Sequence, residues 1–174
     1  MIVRNNYFWK TEDKRIDFIA NGDIVKLERI HGYQELYGHR FADVTVSFLD
    51  YGEVEIDTKI LLDTLSIDSS SLPQEKQREF FNAVLKDYEE EKNKKKRMKK
   101  VLENEFFNAL QVKFAYAITC HKAQGGQWKA VFIDPGYFRQ EMMNVEYLRW
   151  LYTAFTRSTE KLYLVNFPKE WFGE

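Results

Sequence analysis

Two short stretches of this chain concentrate the side chains that do chemistry. The first is Thr119-Cys120-His121-Lys122-Ala123-Gln124-Gly125-Gly126-Gln127. It offers hydroxyl, imidazole, ammonium and amide groups in quick succession, then two glycines that let backbone approach a ligand closely. That set suits a phosphate-bearing ligand, although spacing alone fits an ordinary turn equally well. The second is Leu151-Tyr152-Thr153-Ala154-Phe155-Thr156-Arg157. On a helix, Arg149, Thr153, Thr156 and Arg157 share one face, so two hydroxyls and two guanidinium groups point the same way. Val145, Leu148, Tyr152 and Phe155 then form a buried stripe on another face. Taken alone, an arginine at the carboxyl end of a helix satisfies the dipole and the last carbonyls.

The elements that must hold these groups can be read from periodicity. Val112, Phe114, Tyr116 and Ile118 alternate with the small Ala115 and Ala117, the pattern of a central parallel strand covered on both faces. Residues 130–133 and 162–165 are two more short apolar strands, with a helix over about residues 145–156 between them. The alternation of strand, turn, strand, helix and strand predicts an α/β sheet. In such sheets ligands sit at the carboxyl ends of the strands, where Thr119 and Asp134 fall.

Upstream the pattern differs. Residues 1–9 begin on an apolar pair and run abruptly into Arg4-Asn5-Asn6-Tyr7, which predicts a fragment of a longer protein; Arg4 and Asn5 are polar enough to meet a ligand, or simply to be solvated at a strand end. From Ile16 to Leu62 short strands follow one another. Asn21-Gly22-Asp23 marks a turn, Val44, Val46 and Phe48 alternate with Thr45 and Ser47, and Asp50-Tyr51-Gly52-Glu53 turns the chain again. Such spacing predicts a small SH3-like β-barrel, whose aromatics Tyr33, Tyr37 and Phe41 are either exposed and able to stack on bases or, as is commoner in so small a barrel, part of its core or rim. Ser71 and Gln74 then read as a capping box for a helix whose stripe is Phe81, Val84, Leu85 and Tyr88. Residues 92–100 hold seven basic residues in nine. Glu90 with Lys94 and Glu91 with Lys95 can pair at i, i+4 on a continuous helix, and the run reads either as a solvated helix or hairpin tip or as a contact for DNA phosphates.

Composition sets limits. In 174 residues, 44% hydrophobic and 16% aromatic, there is material for a real core. Basic residues number 26 against 27 acidic ones, so any nucleic-acid contact must be a local patch. One cysteine rules out an intrachain disulfide, and three scattered histidines give no metal-ligand spacing. No apolar run spans a bilayer and no signal peptide is present. A cytoplasmic protein without a membrane partner is expected.

The segment from Tyr116 to Trp128 resembles the fifth motif of superfamily 1 helicases of the RecD-like or UvrD-like branch, and Leu151 to Arg157 resembles their sixth. Order and separation match as well, and the resemblance is strongest over about residues 108–167. The barrel is similar to the small SH3-like domain inserted in the second RecA-like domain of the RecD-like branch. The resemblance implies a partial RecA-like parallel sheet, with residues 1–14 and 108–174 in that domain, 15–66 in the barrel and 67–107 in a helical segment. It implies an ATP-dependent DNA helicase, moving 5′ to 3′ on single-stranded DNA, with ATP and Mg²⁺ as cofactors. Arg157 matches the arginine that reaches the γ-phosphate of ATP. Gly125, Gly126 and Gln127 match the loop facing the nucleotide. Thr119, His121, Lys122 and Thr153 match positions near bound DNA.

Two departures qualify that picture. Gln127 stands where the family usually has Glu, so an amide must serve any ribose contact. No Gly-x-x-x-x-Gly-Lys-Ser/Thr occurs in the chain, and Val131-Phe132-Ile133-Asp134 imitates a Walker B strand without its second acid, since Pro135 follows. The phosphate-binding loop and the Mg²⁺ site are therefore expected on a missing N-terminal RecA-like domain, and the fragment should not hydrolyse ATP alone. The competing reading is a stand-alone module for single-stranded nucleic acid without ATPase activity, carried by the barrel and the basic run. A protein-interaction domain would rest on the barrel alone.

Overall fold

The computed structural model describes residues 1–10 and 16–173; the expected boundary at residues 14 and 15 lies outside the described residues. The chain falls into two compact units, Met1–Ala115 and Tyr116–Glu174.

In the first unit β1 (Val25–Leu36), β2 (His39–Phe48) and β3 (Val54–Leu61) form an antiparallel meander. The first connection is a two-residue turn in which Tyr37 (φ 55) and Gly38 (φ 73) both take the left-handed conformation, the geometry that matches strand twist. The second is the expected turn, a short 3-10 segment (Leu49–Tyr51) followed by Gly52. The four-residue helix α1 (Asp63–Ser66) follows β3, and α2 (Gln74–Lys86) and α3 (Lys94–Leu102) come next. The short strand β4 (Leu110–Gln111) then returns to pair in parallel with β3.

Alternation along β2 explains the two cores. Ala42, Val44, Val46 and Phe48 face one way and pack with Ile2, Ile16, Ile19, Ile56, Leu110 and Val112. Phe41 and Leu61 face the other way, beneath Phe80, Val84 and Val101 of the helices. Lys59 lies on that second face, 1% exposed. Its ammonium is held by Asp43 and sits 4.4 Å from the centre of the Phe106 ring, the kind of pairing a buried cation requires.

Several expectations are corrected here. The strands form an open sheet with β1 and β4 at its edges, not a closed SH3-like barrel. Both faces are instead occupied, one by the amino-terminal segment and one in part by helices. Register shifts at Glu28 and His31 bulge β1, a distortion suited to an edge strand. Phe41 is fully buried and is no stacking platform. Tyr37 is half-buried and donates its hydroxyl to Asp87, whereas Tyr33 is exposed.

The Ser71–Gln74 capping box does not form. Pro73, extended at ψ 149, is the residue before the helix and makes no side-chain cap, which leaves Ser71 too far out to reach the first turn. The anchor of α2 is Phe80, 2% exposed, one residue ahead of the expected stripe; of that stripe Val84 is buried, and Phe81, Leu85 and Tyr88 pack half-buried against it. The Glu90–Lys94 and Glu91–Lys95 pairs are absent because the helix is interrupted between Lys86 and Lys94. Glu91 meets Lys100 at 3.8 Å instead.

Residues 112–118 are not a strand. Val112 makes a single antiparallel bridge to Ile2, and the Lys113 amide donates to the Met1 carbonyl at 2.9 Å. Beyond that point Phe114 (61%) and Tyr116 (93%) are exposed. The alternation was there, but a strand needs a neighbouring ladder, and β3 has ended at Leu61 opposite Gln111.

The second unit contains β5 (Trp128–Ile133), α4 (Val145–Phe155) and β6 (Ser158–Leu164), with β5 and β6 paired in parallel. Both expected strands and the expected helix are present, giving the mixed α/β content read from the sequence. The stripe Val145, Leu148, Tyr152 and Phe155 is exposed rather than buried, at 62, 55, 73 and 38%, and only Ala154 of α4 is buried. Two strands are too narrow to cover a helix face about 10 Å across. Rings of Phe138, Tyr147, Trp150 and Trp171 contact one another at 4.8 to 6.1 Å between centres and supply a small aromatic cluster. Among the described residues no helix is long and apolar enough to cross a membrane.

Candidate functional site

Both chemistry-bearing stretches lie in the second unit, and the fold brings them together. Residues 119–126 wind through successive turns. The amides of Lys122 and Ala123 donate to the Thr119 carbonyl at 2.9 and 3.1 Å, and that of Gly126 donates to Ala123 at 3.1 Å. Ala123 is the buried pivot, so the flanking polar side chains are turned outward.

The two glycines have different reasons to be there. Gly125 sits at φ 88, where a side chain is strained. A Cβ on Gly126 would lie 2.4 Å from the Trp128 indole, so the ring folds directly over the backbone. This aromatic is the residue after Gln127, and the Gly-x-Trp spacing was the available signal for the contact.

Arg157 closes the arrangement. It follows the cap of α4, where Thr156 is the first non-helical residue. Its Nε donates to the Thr153 carbonyl at 2.9 Å, one terminal nitrogen donates to the Gly126 carbonyl at 3.1 Å, and the other to the Thr156 hydroxyl at 3.0 Å. The Trp128 amide returns a bond to the Arg157 carbonyl at 2.9 Å. Three of the five guanidinium N–H groups are thus engaged among the described residues, and two are uncommitted there. The half-buried guanidinium spans 31 residues of sequence to reach Gly126.

A second feature lies along the same helix. An open groove of about 690 Å³ is lined by Cys120, His121, Gln124, Leu148, Arg149 and Thr153, among others. His121 and Thr153 therefore share it; Thr119 and Lys122 are exposed on the same loop but do not line it. Thr153 faces both features, since its carbonyl holds Arg157 while its hydroxyl donates to the Arg149 carbonyl at 2.9 Å. Arg149 is paired with Glu146 at 2.7 Å. Cys120 donates weakly to the Trp150 carbonyl at 3.5 Å. Burial pushes its thiol up from the ordinary range, against the pull of nearby Arg157.

Gln127 is exposed beside Trp128, and among the described residues no hydrogen bond commits its amide. Asp134, at the end of β5, accepts from the Gly136 amide at 2.8 Å and from Asn166 at 2.7 Å. It ties the ends of the two strands together, which accounts for its place without any metal. Among the described residues no three His, Cys, Asp or Glu side chains gather as metal ligands.

Parallel strands, a glycine-ended turn leading into one, and an arginine between the helix and the other make up a small α/β segment. Residues 114–165 match the family model of the UvrD-like helicase C-terminal domain, a span that includes the whole loop, all of α4 and Arg157. Among curated proteins no match to the chain was found. The match makes this segment similar to a helicase C-terminal domain, over less than a third of the chain.

Proposed function

We propose that the chain is the C-terminal part of an ATP-dependent DNA helicase of the RecD-like branch, acting in the cytoplasm and moving 5′ to 3′ on single-stranded DNA. Residues 1–14 and 108–174 belong to its second RecA-like domain, residues 15–66 are a small β insertion and residues 67–107 a helical segment. The observation that carries this reading is the hydrogen bond from Arg157 to the Gly126 carbonyl, which joins the two helicase-like motifs inside the matched segment.

In this reading Arg157 reaches the γ-phosphate with its two uncommitted N–H groups and stabilises charge that develops there. The backbone of Gly125 and Gly126 faces the nucleotide, and the Gln127 amide hydrogen-bonds a ribose hydroxyl. Thr119, His121, Lys122 and Thr153 lie along the DNA. When bound, ATP with Mg²⁺ supplies the free energy of phosphoryl transfer, and the residues here fit only one wall of such a site. The phosphate loop and the Mg²⁺ ligands come from an N-terminal RecA-like domain. Coupling runs through Thr153, whose carbonyl holds Arg157 while its side chain lines the groove.

The test uses the enzyme that contains the phosphate-binding loop. Arg157→Ala should lower ATP turnover by roughly 10³ to 10⁵ while leaving affinity for single-stranded DNA largely intact. Full ATPase activity in that variant would refute the assignment.

A further inference from the structure

The first unit holds a strongly charged surface that the ATP cleft does not use. In a chain of net charge −1, residues 92–100 contain seven cations, and α3 distributes them unevenly. Lys99 pairs with Glu103 at 3.5 Å and Lys100 with Glu91 at 3.8 Å. Arg97 turns inward and donates to the Leu85 carbonyl at 3.2 and 3.3 Å. Lys92, Lys94, Lys95 and Lys96 are exposed and have no acidic partner among the described residues.

Their position is what makes them unusual. Lys94, Lys95 and Lys96 fill the first turn of α3, which carries no acidic residue. The amino end of a helix already bears partial positive charge, so cations there are disfavoured and anions favoured. A run kept only for solubility would gain by placing Asp or Glu at this end. The backbone that carries them is anchored. Asn93 caps the helix by accepting from the amides of Lys95 and Lys96, Val101 is fully buried, and Asn104 donates to the Tyr88 hydroxyl at 3.0 Å. Successive lysines fan out by about 100° around the helix axis, so they crown the helix end rather than line its side.

We propose that this lysine crown binds the phosphate backbone of nucleic acid, as a contact separate from the loop and α4. A strand crossing the helix end would neutralise all three ammonium groups at once and relieve their repulsion with the dipole. That the polyanion is nucleic acid rests on the helicase reading given above.

The experiment titrates the 174-residue chain against labelled oligo-dT over a salt series, alongside phosphatidylserine vesicles. Lys94→Ala, Lys95→Ala, Lys96→Ala combined should reduce the slope of log affinity against log salt by about 2, since each phosphate contact on a single strand contributes about 0.7. The three Lys→Arg changes should keep the wild-type slope, which separates lost charge from lost folding. An alanine variant with the wild-type slope, no DNA binding by the wild type at low salt, or tighter binding to vesicles than to oligo-dT would each overturn the proposal. A His121→Ala, Thr153→Ala variant reads the other site. If it alone loses DNA, the lysine crown is wrong and the helicase reading stands; if only the lysine variant does, the crown stands and the DNA path over the second unit fails.

Discussion

At the residue scale, the adjacent glycines of the loop answer to different physics and predict different failures. Gly125→Ala puts a Cβ into the left-handed region, a local strain of about 1–2 kcal/mol, with open space around it. Gly126→Ala has an acceptable backbone but drives its Cβ into the Trp128 ring. The ring must swing away, and the Gly126 carbonyl that holds Arg157 moves with it. Gly126→Ala should therefore change the near-ultraviolet circular dichroism and uncover Trp128 to a collisional quencher, whereas Gly125→Ala should lower stability with little spectral change. Equal spectra for both variants would show that the indole does not rest on this backbone. That the stretch is a polar, glycine-ended turn was legible from its residue types. That Arg157 clamps it was not, because a bond spanning 31 residues leaves no trace in local spacing.

At the element scale, what could be read depended on whether an element is defined by its own sequence or by its neighbours. The helix over Val145–Phe155 and the strands on either side follow from local periodicity, and they are present. The fate of residues 112–118 and the openness of the sheet depend on which strand stands alongside, and periodicity is silent on that. The α2–α3 hairpin shows both. Its break at residues 87–93 is set locally, by Asn93 capping α3, and Asn93→Ala should cost about 1 kcal/mol. Its seating is set by Phe80 beneath the sheet, and Phe80→Ala should cost about 3–5 kcal/mol in chemical denaturation; a loss under 1 kcal/mol would mean the helices do not seal that core.

The first unit should respond to pH at both extremes. Burial and the Asp87 carboxylate raise the Tyr37 hydroxyl to about 12. A raised folded value stabilises below the ordinary tyrosine range, and that stability is lost as pH climbs from about 10 to 12. Tyr37→Phe should flatten this alkaline loss. Asp63 is the opposite case. Burial works to raise its carboxyl, but hydrogen bonds from His39 at 2.8 Å and Arg40 at 2.9 Å outweigh it and hold the carboxyl below its usual range. Its contribution is present above the ordinary carboxylate value and disappears as pH falls through the depressed one. Unfolding followed against pH should show both limbs in the wild type, with the acid limb weakened in Asp63→Asn.

At the scale of the whole molecule, the two units are unequal in what they bury. Among the described residues the first has nineteen buried apolar residues, among them Phe41, Phe48, Phe80 and Ile2, and the second has three, Ala123, Ile133 and Ala154. A parallel pair of strands ordinarily has both faces covered, yet Phe132 is 69% and Tyr163 42% exposed, and the two rings stack on each other at 4.5 Å in the open. Backbone hydrogen bonds in such a sheet are protected only by local opening free energies near the low end of the native range. Hydrogen exchange should therefore divide the chain. Amides of β2 and β3 should exchange only through global unfolding of their unit, while those of β5, β6 and α4 should exchange orders of magnitude faster and respond little to Phe80→Ala. If a phosphate-bearing ligand engages Arg157 and the loop, added ATP together with the N-terminal domain should slow exchange in the second unit and leave β2 and β3 unchanged. Uniform protection across both units in the isolated chain would mean that they fold as one, and that the site loop is supported by more than the few buried side chains of its own unit.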